Sequence, residues 1–281
     1  MKKFLSIAMI LVLVITVLSG CGAGETAETA PEAEVPAEAA PAEESAEEEA
    51  AEARRDSETW DMYVAAGLKK PMDVIAAEFQ KETGDTININ YSSSGSLFSQ
   101  IEQGQPCDLF FTADWLYVEK LEELGLVDSS TKFLTDNVAM VVSENAKDKI
   151  SSIADLAEAD VTVAVCDPSA PVGAYTEEGL KNIGIWDEMS DKIVSRPSTV
   201  NQAAIMVKED EVDAAFIFTS VARANGLEPV DIIDQEYTGE IIFATVAVKG
   251  GRTELAEEFV KFANEHVDEF VKYGWKAYEE K

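Results

Sequence analysis

Hydroxyl groups crowd one short stretch of the chain. From Tyr91 to Asp114 the sequence reads YSSSGSLFSQIEQGQPCDLFFTAD, so Ser92, Ser93, Ser94, Gly95 and Ser96 stand just ahead of Leu97 and Ile101 at helical spacing. Gly104 and Pro106 end that pattern, and DLFF reads as the start of a buried strand. The first N–H groups of a helix have no intrahelical acceptor and lie at the positive end of its dipole. Hydroxyls and a glycine placed there form an arrangement for holding an anion. An ordinary serine N-cap would use the same residues. Other strand-to-helix junctions repeat the theme, at Gly67 after VAAG, Val172 and Gly173 in CDPSAPVG, Thr199 and Val200 in RPSTV, and Phe218 and Thr219 in FIFTS. None has an obvious basic side chain, and Arg196 is the only arginine close to one.

The rest of the composition removes most other chemistries. The 281 residues carry a net charge of -32, which leaves no basic surface to neutralise phosphates, so nucleic acid is not an expected partner. A His/Cys zinc site or a Ser-His-Asp triad would have to be built around His266, the single histidine. It lies in FVKFANEHVDEF, a charged helical pattern, where an exposed surface position is expected. The junction hydroxyls have no neighbouring base to activate them, so an enzyme is not expected, nor is a resident metal or cofactor. Cys107, in PCDLFF, and Cys166, in VAVCDPS, read as buried thiols at strand edges.

Two N-terminal segments stand apart from the fold. Lys2 and Lys3, an apolar run from Phe4 to Leu18, and LSGC ending at Cys21 look like a bacterial lipoprotein signal over residues 1–20, with Cys21 as the lipid anchor. An uncleaved membrane anchor is the alternative, since the run is near the lower limit for spanning a bilayer. Either way the rest of the chain is held at the cell membrane, facing outside the cytoplasm. Residues 21–57 are almost entirely Ala, Glu, Pro and Thr, with no means of burying apolar surface, and read as a disordered acidic tether.

From residue 58 onward, strand patterns alternate with helix patterns. WDMYVAAG, TININY, CDLFFTA, NVAMVVS, VTVAVCD, VDAAFIF and EIIFATVAV read as strands. LKKPMDVIAAEFQKETG, SGSLFSQIEQG, WLYVEKLEELG, ADLAEA, GAYTEEGLKNIG and TVNQAAIMVKEDE read as helices. Such alternation implies an α/β fold of mostly parallel sheets flanked by helices. It runs too long for one small sheet. Two lobes are expected, the first from 58–138 and 241–281 and the second from 139–240. Ligands of such folds bind at the carboxyl ends of strands, where these junctions lie.

At this point the residues resemble the periplasmic molybdate-binding protein family, the solute receptors of molybdate importers of the ABC class. The resemblance covers roughly Tyr63 to Val248. It is carried by VAAGLKKPMDVIAAEF, YSSSGSLFSQIEQGQPCDLFFTAD, VAVCDPSAPVGAYTEEGLKNIGIW and STVNQAAIMVKEDEVDAAFIF, in that order. It implies a two-lobe clamshell, of the periplasmic-binding-protein type II, closing on a tetrahedral oxyanion. The ligand would be molybdate or tungstate, the partner a membrane permease of an ABC importer, and the expected unit a monomer. The family's ligand positions map to Gly67, Ser94, Val172, Val200 and Phe218.

Two positions depart from the family pattern, which usually has serine at Gly67 and tyrosine at Phe218. Two lost hydrogen bonds to a charged group would cost roughly 3 to 6 kcal/mol unless replaced. Ser93, Ser96, Thr199, Thr219 and Tyr175 are the hydroxyls near enough in sequence to replace them. A receptor for another oxyanion or a small organic anion is therefore a second expectation. Asp114 and Asp167 are read as caps or strand-end anchors, because a carboxylate in the pocket would repel a dianion. A Cys107–Cys166 disulfide is not expected, since it would staple a hinge that must open.

Overall fold

A computed structural model of the protein describes residues 56–280, so the signal segment, Cys21 and nearly all of the acidic tether lie outside the described residues. The chain begins with β1 (Thr59–Ala65), which runs through a 3-10 turn at Ala66–Leu68 straight into α1 (Lys69–Thr83). Helix α1 buries Pro71, Met72, Ile75, Ala76 and Phe79 at intervals of one, three and four residues, the spacing of one helix face. It stops at Gly84, whose left-handed φ of 80° lets its N–H return to the Gln80 carbonyl.

β2 (Thr86–Ser92), α2 (Ser94–Glu102), β3 (Leu109–Thr112), α3 (Leu116–Glu123) and β4 (Val127–Asp136) follow. The chain then crosses to a second sheet through β5 (Val138–Val142), β6 (Val163–Ala164), α4 (Pro171–Ile183), α5 (Trp186–Ser190) and β7 (Ile193–Ser195). That sheet continues with α6 (Val200–Lys208), β8 (Ala214–Phe218), α7 (Thr219–Ala224), β9 (Asp231–Ile232) and α8 (Gln235–Thr238). β10 (Ile241–Val248) returns to the first sheet, and α9 (Thr253–Glu265), α10 (Asp268–Val271) and β11 (Lys276–Ala277) complete the chain.

The first sheet has strand order β11-β4-β10-β3-β1-β2 and the second β7-β6-β8-β5-β9. These are the two α/β lobes anticipated from the alternation, with helices flanking each sheet. Parallel pairing holds for β1–β2, β1–β3, β6–β7 and β6–β8. The remaining pairs are antiparallel, so each sheet is mixed rather than mostly parallel. The reason is connectivity: β4 runs directly into β5, and β9 into β10 through only the one-turn α8, too short for the crossover that parallel pairing needs.

Some elements differ from the sequence reading. β4 was not expected, because VDSSTKFLTD is largely polar and half-exposed. ADLAEA forms only a 3-10 turn, Ile153–Ala157, held by a capping box between Ser152 and Asp155. Lys192 clamps the end of that turn, its Nζ donating to the carbonyls of Leu156 (2.6 Å), Ala157 (3.0 Å) and Ala159 (2.7 Å). His266 is not an exposed surface residue. It caps the end of α9 half-buried, stacked on Phe262 at 4.1 Å with Nδ1 2.8 Å from the Phe262 carbonyl.

An apolar core passes through both sheets. Trp60, Phe79, Phe111 and Phe259 meet edge to face within it at centroid distances of 5.0 to 6.3 Å. Every residue of β10 is buried, as expected for a strand covered on both faces. Near the crossings, Phe218 packs on Phe243 at 5.2 Å and Phe243 on Trp275 at 6.1 Å. A smaller cluster including Leu97, Phe110, Tyr117 and Val246 also packs against the first sheet.

Candidate anion-binding site

Four helix beginnings meet at one small cavity of about 20 Å³, lined by Ala65 to Gly67, Ser92 to Ser94, Ala113, Ala170 to Val172, Thr199 and Val200. Two of them come from each lobe. Gly67 lies in the turn that opens α1, Ser94 is the first residue of α2, Val172 is the second of α4 after Pro171, and Val200 is the first of α6. Each brings N–H groups with no intrahelical acceptor. Ser94 is fully buried, and its Oγ accepts the Ala113 N–H at 3.0 Å, which leaves the hydroxyl proton free to donate. Thr199 caps α6 by accepting the Gln202 N–H, so its hydroxyl proton is likewise available. Larger cavities occur elsewhere, such as one of about 540 Å³ beside α9, but no such set of helix N-termini lines them.

The lobes touch around this cavity. The Ser169 carbonyl accepts the Gly95 N–H at 3.0 Å and the Tyr117 hydroxyl at 3.1 Å, both from the opposite lobe. On the other side, Asn201 Nδ2 donates to the Ala66 carbonyl at 2.6 Å, and Lys70 Nζ donates to the Ala224 carbonyl. Tyr175 of α4 hydrogen-bonds Asp114 of the first lobe; burial, opposed by the Leu116 N–H and by Tyr175, pushes that carboxyl above its ordinary range. Burial and the Asp114 charge push the Tyr175 phenol up as well. The site is therefore a closed cleft whose donors are backbone amides and hydroxyls.

A sequence profile described as bacterial extracellular solute-binding protein matches residues 61–276. The chain belongs to this family.

Among relatives of this solute-binding protein is YvgL of Bacillus subtilis strain 168, whose name provisionally makes it an ABC transporter substrate-binding lipoprotein. It is 31% identical over 234 residues, spanning 79% of this chain and 89% of that one. The molybdate-binding protein ModA of Escherichia coli K12 is 27% identical, over 76% of this chain and 87% of its own. The solved periplasmic molybdate-binding protein of Azotobacter vinelandii shares the fold, with a TM-score of 0.68 at 21% identity, over 78% of this chain and all of that one. The chain is thus similar in sequence to a molybdate-binding protein and shares the fold of another.

The solute-binding protein brings four of the five mapped positions, Gly67, Ser94, Val172 and Val200, to the cavity wall. Phe218 is not among the lining residues; it is 2% exposed, with its ring against Phe243. The helix it precedes, α7, has no side-chain cap from Phe218. Asp136 from the end of β4 serves instead, accepting the Ser220 hydroxyl and the Ser220 N–H at 3.3 Å. The fifth helix start is thereby neutralised by a carboxylate of the protein itself. Desolvation in this buried position raises Asp136 to about 6 despite those bonds.

Most of the hydroxyls considered as substitutes have internal partners. Ser93 and Ser96 bond each other at 2.8 Å, Thr219 donates to the Asn137 carbonyl at 3.0 Å, and Tyr175 is held by Asp114. Of these substitutes, Thr199 alone lines the cavity with its proton uncommitted. Asp114 and Asp167 are turn anchors, accepting the N–H groups of Leu116 and Ser169 at 2.9 Å each. Arg196 lies over the Trp186 ring at 5.7 Å. Cys107 and Cys166 are free, buried thiols in different lobes. Among the described residues, no group of three or more His, Cys, Asp or Glu is placed to hold a metal ion. Sequence reasoning missed Ser169, Asn201 and Tyr117, because a carbonyl or amide that bridges lobes carries no local pattern.

Proposed function

We propose that this protein captures molybdate or tungstate between its lobes and delivers it to the membrane permease of an ABC importer. One observation carries the reading: helix N-termini from both lobes converge on a single cavity that has hydroxyl and amide donors and no titratable side chain in its wall. A fully ionised tetrahedral dianion needs donors only, which is what this wall offers. Selection then rests on size, and capture on short-range donors, since the acidic chain repels anions at long range. The likeness to ModA supports the ligand class. The protein works without a resident cofactor, as a monomer, tethered through a lipid on Cys21; the crossings near Asn137 and Glu240 serve as the hinge.

A second reading, another oxyanion or a small organic anion, is favoured by Phe218 lying in the core and by Gly67 having no side chain. Calorimetric titration of the full chain in detergent with molybdate, tungstate, sulfate and phosphate separates the two. Tight binding of molybdate and tungstate with sulfate and phosphate rejected is the expected result. Heat from none of the four would move the assignment to organic anions.

A further inference from the structure

Two glycines stand at the points where the first lobe meets the second, and neither is needed for its backbone conformation, since neither Gly67 nor Gly95 has a positive φ. What they provide is room. A Cβ at Gly67 would lie 3.1 Å from Val221 Cγ2 and 3.3 Å from Val200 Cγ1. A Cβ at Gly95 would lie 2.5 Å from the Ser169 carbonyl oxygen and 2.7 Å from Tyr117 Oη. Val221 is fully buried and belongs to α7, and Val200 lines the cavity. The two contacts flank the cavity, one at the start of α1 and one at the start of α2.

We infer that Gly67 and Gly95 set how far the lobes close and so determine the size of anion the site selects, with Val221 as the stop behind Gly67. The inference rests on the cavity being the anion site. With both side chains absent, the helix N-termini of the two lobes come close enough to share one tetrahedral anion. A methyl group at either position holds the lobes apart. A smaller anion then loses donors from one lobe, while a larger one still spans the gap. The stop at Gly95 is a backbone carbonyl, which no single side-chain deletion can relieve. The stops at Gly67 are valine side chains, of which Val221 is the nearer and can be shortened.

The test is competition titration of molybdate against sulfate with the full chain in detergent, for the wild type, G67A, G67A/V221A, G95A and S94A, with thermal melts to establish folding. G67A should raise the preference for molybdate over sulfate by about tenfold, the scale of an overpacked contact, and V221A in the same chain should reverse most of that change. G95A should shift the preference in the same direction. The inference is overturned if S94A weakens binding while G67A leaves the preference unchanged, or changes it in a way V221A does not reverse. Should S94A bind both anions like the wild type, the cavity is not the site, a separate outcome that overturns the proposed function with it. If G95A does not fold, the G67A pair decides alone.

Discussion

Asp136 and Ser220 join the two lobes where the chain first crosses between them, the carboxylate of one accepting both the hydroxyl and the N–H of the other. Asp136 closes β4 in the first sheet, and Ser220 opens α7 in the second. Burial is the largest influence on this carboxyl and raises it to about 6.

Stability should carry the signature of that group. The folded state holds the Asp136 proton more tightly than the unfolded chain does, so its contribution is fully present below about pH 4 and is lost as pH rises through about 6. Asp136→Asn keeps an acceptor for Ser220 and cannot ionise. Denaturant unfolding at pH 4 and pH 7 should show the wild type losing up to about 3 kcal/mol relative to the variant over that interval. A difference that does not change with pH would remove the assignment.

Ser94 should be the most sensitive hydroxyl in the site, because it is fully buried and its oxygen already has a backbone donor. Ser94→Ala should weaken anion binding by about 1.5 to 3 kcal/mol, roughly one to two decades in Kd. Calorimetry measures it directly; an unchanged Kd would exclude Ser94, and with it this cavity, as the anion site.

The Tyr175–Asp114 bond belongs to closure and not to the cavity wall. Tyr175→Phe should therefore raise Kd for every anion by a common factor of about tenfold, leaving selectivity intact. Stopped-flow fluorescence should place the change in the dissociation rate. A change in selectivity would instead assign Tyr175 to ligand contact.

Lys192 gathers the carbonyls of Leu156, Ala157 and Ala159 around one ammonium group. Lys192→Met keeps the stem and removes the donor, and should cost about 1 to 3 kcal/mol in chemical denaturation while leaving anion affinity within about twofold. An equal loss of affinity would tie this distant turn to the cleft.

Neither Cys107 nor Cys166 should react with a thiol reagent at about pH 8 in the folded protein, and both should react in denaturant. Burial pushes Cys166 up to about 12 and Cys107 higher still, opposing thiolate formation in both. Mass spectrometry of the modified peptides distinguishes them from Cys21.

The elements that sequence patterning revealed are those whose apolar residues settle the matter locally. AAFIF and IIFATVAV are buried throughout, and the caps at Ser93 and Thr199 sit where hydroxyls precede helical spacing. β4 escaped notice because its pairing with β10, not its own composition, makes it a strand. Likewise the cavity wall was legible at Gly67, Ser94, Val172 and Val200, which lie at helix starts. The fate of Phe218 was decided by Phe243, 25 positions later, on a strand that returns from the other lobe. Asp136 gave no signal either, since what it caps is 84 residues away.

Strand β10 lies between β3 and β4, yet it is the tenth of the eleven strands among the described residues. A nascent chain that has emerged only as far as residue 240 holds every strand of the second sheet, while the first sheet still has a gap at its middle. A chain emerging from its N-terminal side can complete the inserted lobe before the lobe that encloses it, leaving β3 and β4 with unpaired edges until β10 arrives. Because these edges are far apart in sequence from the strand that satisfies them, this protein should be slow to fold and should depend, until β10 has paired, on being kept from pairing with other chains.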